Sequence, residues 1–160
     1  MRELTEYEEK IVAEVEQHRC YVIQVFDPDG IAPNFSYSIG FPALVAQPEV
    51  IVFGLSIPLM HSMIDEIYRQ CRHGLSLNGG LRVAGLINGH DCELRSVKPK
   101  HIVKDHFNSA MWFHRHRTGE PMTEAFQIVW PGAVDGLFPW DEGASQDVID
   151  AQPALYECVR

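Results

Sequence analysis

Histidine is the residue type in this 160-residue sequence best suited to acid–base or metal chemistry, and the chain has eight of them. Side chains at i and i+4 share one face of a helix. His61 with Asp65, and His101 with Asp105, have this spacing. Such a pair is half of a metal site, a base with its orienting partner, or a surface pair worth well under ~1 kcal/mol. No two histidines share the spacing and no further ligands lie nearby, so we expect surface pairs and no metal site.

Three side chains are candidates for a catalytic site: Glu49, His61 and His106. Glu49 begins the apolar run EVIVFGL at residues 49–55, and we expect its carboxylate at the solvated mouth of a strand. If that carboxylate is buried instead, a raised pKa makes it a general-base candidate. The sequence has no G-x-S-x-G nucleophile motif, no phosphate loop and no dinucleotide-binding glycine pattern. Whether the protein is an enzyme therefore stays open at this point.

The most unusual segment is WPGAVDGLFPW at residues 130–140, which holds Trp130, Phe138 and Trp140. Turn formation does not require these rings, so they must be buried on the protein's own core or against a ligand. Together with Tyr37 they are the candidate ligand-binding residues, because ligand clefts are often lined by aromatic side chains. A structural plug over the sheet is the alternative.

The charge is uneven along the chain. The net charge is −9, yet residues 98–117 carry five Lys and Arg against Asp105 alone, which makes that stretch +4 and the remainder −13. An acidic protein repels polyanions, so nucleic-acid binding is not expected. The basic stretch is either a solvated helix face or a docking site for a small anion or an acidic partner.

Hydrophobic periodicity predicts the elements that position these residues. We predict helices at residues 5–19, 57–73 and about 101–117, with Thr5 and Glu8 forming a capping box on the first. Strands are predicted at residues 20–26, 35–41, 49–55, 81–87, 92–97 and 125–130. The third should be central, and Asn88-Gly89 should turn a hairpin between the fourth and fifth. The fold class is therefore α+β, one domain over residues 1–160 with a largely antiparallel or mixed sheet, and a less ordered tail after about residue 143.

The cysteines and the chain start bear on the compartment. Four cysteines lie far apart without a C-x-x-C pair, which argues against a zinc site. The start MRELTEYEEK lacks the apolar core of a signal peptide, and the longest apolar run, residues 50–55, is too short to cross a bilayer. We expect a cytoplasmic protein that does not bind membranes.

Four segments of the chain resemble the motifs of a bacterial family, domain of unknown function 4262: FSYSIGF (35–41), PEVIVFGL (48–55), QIVWP (127–131) and GLFPW (136–140). Members of that family often have His before the Pro–Glu pair and Asp after the Trp–Pro pair, where this chain has Gln47 and Gly132. The resemblance implies a soluble single-domain protein without an established activity. It also suggests that the motif residues surround one cleft: Tyr37, Gly40, Glu49, Trp130 and Trp140.

Three functions follow as hypotheses. The leading one is a ligand-binding or accessory module with an aromatic-lined cleft near residues 130–140 and the basic third helix nearby, taking a small molecule or a protein partner. The second is a small enzyme with a Glu/His site, with a metal or another cofactor of unknown identity. The third is a protein–protein regulator such as an immunity-type protein.

Overall fold

Six strands form one mixed sheet in the computed structural model, which describes residues 3–158. The strands are β1 (Tyr21–Val25), β2 (Phe35–Ile39), β3 (Glu49–Phe53), β4 (Arg82–Val83), β5 (Cys92–Ser96) and β6 (Ala125–Val129). Their spatial order is β1-β2-β3-β6-β5-β4, and every neighbouring pair is antiparallel except β3 with β6. All five residues of β3 are buried, which confirms the prediction of a central strand.

The helices are α1 (Glu6–Glu16), α2 (Phe41–Val45), α3 (Ile57–Arg72), α4 (Lys104–Thr118) and α5 (Gln146–Ala151), with a 3-10 turn at Pro99–His101. The three long helices and the six strands confirm the α+β class. The predicted capping box is present: Thr5 Oγ1 accepts from the Glu8 N–H at 3.1 Å, and Glu8 Oε1 accepts from the Thr5 N–H at 3.0 Å.

The side chains of the sheet divide into two main hydrophobic clusters because successive residues of a strand point to opposite faces. Residues such as Ile51 and Phe53 pack with α1 and α4 on one face. Val50 and Val52 pack with α3 on the other face. A third cluster, formed by Val129, Phe138 and Tyr156, lies under the loop after β6.

The predicted hairpin of residues 81–97 exists, but its turn does not have the predicted form. β4 pairs with β5 only through Arg82 and Val83, so the connection is long and Asn88-Gly89 is not a two-residue turn. After β4 the chain bends toward α3, where Gln70 Nε2 donates to the Ala84 carbonyl at 2.8 Å and Leu86 is buried. Packing against α3 therefore overrides the local turn signal.

The third long helix starts later than predicted. The 3-10 turn precedes it, so His101 and Asp105 do not lie on one helix and the predicted pair of these residues is not formed on a common face. The helix is also kinked at Phe107, whose φ of −136° and ψ of 26° are not helical. Two residues after the kink, the Ser109 N–H donates to the Tyr37 hydroxyl.

The tail after residue 143 is packed onto the sheet, contrary to expectation. Gln127 of β6 donates to the Pro153 carbonyl at 2.9 Å and accepts from the Leu155 N–H at 3.0 Å. Leu155 and Tyr156 are buried, and Tyr156 forms an isolated antiparallel bridge with Val97. The polar composition of the tail hid these few anchoring contacts.

Candidate functional site

Glu49 lies at the start of β3 with only 2% of its surface exposed, so the expectation of a solvated position is wrong. Its carboxylate accepts three hydrogen bonds: from Ser38 Oγ at 2.7 Å, the Gly40 N–H at 2.8 Å and the Phe41 N–H at 3.1 Å. Burial raises the pKa of Glu49 to about 7, although these donors favour the charged form and oppose the rise. Glu49 is therefore a buried carboxyl group with a raised pKa, the property that makes it a general-base candidate.

The same contacts fasten Glu49 to the turn between β2 and α2. Gly40, whose φ of 115° is open to glycine but rarely to other residues, ends β2 and directs two backbone N–H groups at the carboxylate. Ser38 closes the arrangement, since its Oγ also accepts from the Val50 N–H at 2.9 Å. The Glu49 side chain thus ties the start of β3 to the end of β2 and to the first residue of α2.

The two candidate histidines lie on opposite faces of the sheet. His61, on α3, is exposed and sits between Gln24 Nε2 at 3.1 Å and Asp65 Oδ2 at 3.2 Å, so the predicted i,i+4 pair is present on the surface. His106, on α4, is half-buried with its ring centroid 6.0 Å from those of Phe35 and Phe53. Neither ring contributes a hydrogen bond to Glu49. The structure therefore does not bring Glu49, His61 and His106 together.

His106 has one further property. Its buried Nδ1 has no hydrogen-bond partner among the described residues. Burial, and then the neighbouring His101, lower its pKa, with Asp105 opposing them. The imidazole therefore favours the neutral form at neutral pH.

The rings of Phe138 and Trp140 in the aromatic loop pack against each other and against other side chains of the protein. Phe138 and Trp140 are stacked with centroids 5.0 Å apart and planes inclined by 5°. Each ring also faces an arginine: Arg82 lies 4.3 Å over Phe138, and Arg95 lies 3.9 Å over Trp140. These internal contacts favour the structural plug over the sheet, the alternative to a ligand-binding role for this loop.

The two arginines are held by one carboxylate. Glu93, 6% exposed, places Oε1 2.6 Å from Arg82 Nε and Oε2 2.6 Å from Arg95 Nε. Register explains the contact, because Arg82 is paired directly with Glu93 and Arg95 is two residues further along the same strand. Trp140 remains half-buried, and with Arg95, Tyr156 and the tail it lines a groove of about 530 Å³.

Trp130 belongs to a different cluster. Its Nε1–H donates to the Phe53 carbonyl at 2.7 Å, and its backbone N–H and C=O bind the Gln152 side-chain amide at 3.0 and 2.9 Å. It packs on the α3 face of the sheet, whereas Tyr37 packs on the α1–α4 face and Trp140 in the third cluster. The expectation that one cleft is surrounded by all the motif residues is therefore wrong. Within that set, the Gly40 N–H donates a hydrogen bond to the Glu49 carboxylate.

A larger cleft of about 670 Å³ opens between α1 and α4, and we call it the α1–α4 cleft. Its apolar wall includes Ile11 and Met122, and its aromatic side chains are Tyr7 and Trp112. Trp112 is stacked on His116 at 5.1 Å, with the planes inclined by 12°.

The cations of the α1–α4 cleft come from the basic stretch. Lys104 and Arg115 of α4 line it, and Glu8 of α1 lines it as well. The Glu8 carboxylate accepts from the Thr5 N–H in the capping box. The sequence indicated the basic stretch, which contains Trp112, but it gave no sign that Tyr7 of α1 lies beside that stretch.

A chain of hydroxyl groups reaches from the core to this cleft. Tyr37, 3% exposed, accepts from the Ser109 N–H at 3.0 Å, and the Ser109 Oγ lies 3.2 Å from the Tyr7 Oη. Phe107, where the helix is kinked, lies two residues before Ser109. The break in regular helix geometry is compatible with a Ser109 N–H that donates to the Tyr37 hydroxyl. Burial raises the pKa of Tyr37, so the phenol keeps its proton. Tyr37 thus touches the cleft only through Ser109.

Among residues 3–158, no three His, Cys, Asp or Glu side chains are grouped so that they could hold a metal ion. In the same part of the chain, no helix has the length and apolar character needed to cross a bilayer.

Fold and cleft together define a single α+β domain with a mixed sheet, helices on both faces and a ligand-sized cleft beside one of them. The chain belongs to the family described as Domain of unknown function (DUF4262), whose model matches residues 14–145. That range contains all six strands together with α2, α3 and α4, and it leaves out most of α1 and all of α5. No curated protein and no solved structure matches the chain.

Proposed function

We propose that this protein is a binding module of the bacterial cytoplasm that takes a small organic anion in the α1–α4 cleft. The observation that carries the proposal is the lining of that cleft, which combines Trp112 and Tyr7 with the cations Lys104 and Arg115. Four free cysteines suit a reducing compartment. The small-enzyme hypothesis has less support, because His61 and His106 lie on opposite faces of the sheet.

The charge distribution favours an anionic ligand. The chain carries a net charge of −9, and its basic stretch supplies both cations of the cleft lining, Lys104 and Arg115. Glu8 adds one negative charge to the lining, but its carboxylate is engaged by the first turn of α1. A cationic cleft on an acidic protein attracts small anions while the remaining surface repels large polyanions.

The apolar part of the lining favours an anion with a flat ring. A volume of about 670 Å³ falls within the range of small-molecule sites. Trp112 offers an aromatic ring for stacking, and Leu4 and Met111, which are only partly buried, offer apolar contact. Phenyl phosphate has both chemical features, an aromatic ring and a dianion, and is a suitable probe.

The test is a titration of the ¹⁵N-labelled protein with phenyl phosphate, followed by NMR, with benzyl alcohol as the neutral control. We expect saturable shifts of the Ser109 amide and the Trp112 indole. The variant K104Q/R115Q should bind about tenfold more weakly, a difference of about 1.4 kcal/mol. The matched variant K98Q/K100Q removes the same charge from the same basic stretch but outside the cleft lining, and it should bind within about twofold of the unmodified protein.

Two results would contradict the proposal. One is the absence of saturable shifts up to about 10 mM phenyl phosphate, which corresponds to less than about 3 kcal/mol of binding. The other is a set of shifts centred on the Trp140 indole, which would assign the ligand to the groove beside Trp140 and support the binding role predicted for the aromatic loop.

A further inference from the structure

The two edges of the sheet differ in how they are protected. An edge strand exposes unpaired backbone N–H and C=O groups, and proteins shield it by shortening it, by charging it or by covering it. β4 follows this rule, since it has two residues and one of them is Arg82. β1 does not follow it: the strand has five residues, YVIQV, without a charge or a proline. Within residues 3–158, no strand pairs with its outer edge.

Exposed apolar side chains continue the β1 edge beyond the strand. Phe26 follows β1 directly and is 60% exposed, and Ile31 in the next loop is 86% exposed. Both belong to the few large hydrophobic residues exposed in the described chain. A β-branched, uncharged edge with an exposed ring at its end is suited to pairing with another strand.

We propose that β1 pairs antiparallel with β1 of a second copy of this chain, extending the sheet across a twofold axis at Ile23. This register pairs all five residues, with Ile23 opposite itself, Val22 opposite Gln24 and Tyr21 opposite Val25. A twofold axis perpendicular to the sheet keeps each residue on its own face. On the face of Tyr21, Ile23 and Val25 apolar side chains then meet apolar side chains, while on the other face Val22 meets the exposed Gln24.

The residues flanking β1 are complementary in the same register. Arg19 of one copy lies opposite Asp27 of the other, and Cys20 lies opposite Phe26. The Arg19 side chain is 63% exposed and is held within its own copy by surface contacts, a 3.8 Å ion pair with Glu14 and a hydrogen bond to Gln17. Asp27 accepts from the backbone N–H groups of Asp29, Ile31 and Ala32, which stabilise its charged form. Opposite charges at both ends of the paired strands select a second copy over an unrelated strand.

The experiment is sedimentation velocity of the full chain over a wide concentration range. We expect reversible doubling of the 18.1 kDa mass. The variant Q24K/F26K adds two charges along the edge at exposed side chains and should weaken dimerisation at least tenfold. The matched variant V134K/Q146K also replaces one exposed apolar residue and one exposed glutamine by Lys, but away from β1, and it should dimerise like the unmodified protein.

Hydrogen exchange on the unmodified protein provides a second readout that does not depend on a variant. Amide exchange within Tyr21–Val25 should slow as the protein concentration rises, while exchange within Arg82–Val83 should not change. A monomer at all concentrations would overturn the proposal. A dimer that survives Q24K/F26K, or that leaves β1 exchange unchanged, would also overturn it, because the copies would then meet elsewhere.

Discussion

Replacing Glu49 by Gln tests whether burial or hydrogen bonding controls the charge of the carboxylate. A raised folded-state pKa means that the folded protein binds the proton more tightly than the unfolded chain does. Stability from this group is therefore fully present below the unfolded pKa of 4.5 and is lost as the pH rises through about 7. Each pH unit between the two pKa values corresponds to about 1.4 kcal/mol, so the loss is roughly 3 kcal/mol.

Gln at position 49 resembles the protonated acid in shape and does not titrate. We expect the free energy of unfolding of the unmodified protein, relative to that of E49Q, to fall by roughly 2–3 kcal/mol between about pH 5 and pH 8, which is most of the full loss. Urea unfolding followed by tryptophan fluorescence at several pH values measures this difference. Using the difference between two proteins cancels the titration of other groups, including His106 and His114, whose pKa values are lowered by burial.

The control is E66Q, and a flat pH profile for E49Q would refute the reasoning. Arg69 and Gln70 donate to the partly buried Glu66 and lower its pKa to about 2, so its titration lies outside this pH window. The difference between the unmodified protein and E66Q should therefore be constant. An equally constant difference for E49Q would mean that the donors from Ser38, Gly40 and Phe41 keep Glu49 ionised despite its burial.

Three further changes test the packing around the sheet. In G54A the new methyl group would lie 2.3 Å from the Ala151 carbonyl oxygen at a φ of +83°, so urea unfolding should show a loss of about 2–4 kcal/mol. In Q152A the Trp130 N–H and C=O lose their partner, and calorimetry should show a loss of about 2–4 kcal/mol. In W140A the stacked ring is lost, so stability should fall by about 2–3 kcal/mol while phenyl phosphate affinity stays the same; the reverse pattern would make Trp140 part of the ligand site.

The sequence was sufficient for features that depend on neighbours along the chain. The capping box of Thr5 and Glu8 is a local pattern. Strand β3 is recognisable because four successive apolar residues follow Glu49. The family resemblance, too, rests on contiguous motifs, and the match over residues 14–145 confirms it.

The candidate site depends on contacts between distant residues, and these were not predictable. Tyr7 and Ser109 are 102 positions apart, so no pattern of neighbouring residues predicts that α1 packs against α4. The prediction that Glu49 is solvated was wrong for the same reason. Its burial is compensated by the backbone N–H groups of Gly40 and Phe41, and side-chain patterns in the sequence do not show where these groups point. A polar residue in an apolar run suggests solvent unless its donors are known.

The parallel pairing of β3 with β6 affects how the protein folds during synthesis, because the two strands are far apart in the sequence. Strand β6 begins at Ala125, so it leaves the ribosome roughly 70 residues after β3, which corresponds to about 4–15 s at typical rates of synthesis. During that interval the nascent chain can pair β1, β2 and β3, but β3, whose five residues are all buried in the finished fold, is still an open edge. Changes in residues 49–53 are therefore expected to alter chaperone dependence during synthesis as well as stability after it.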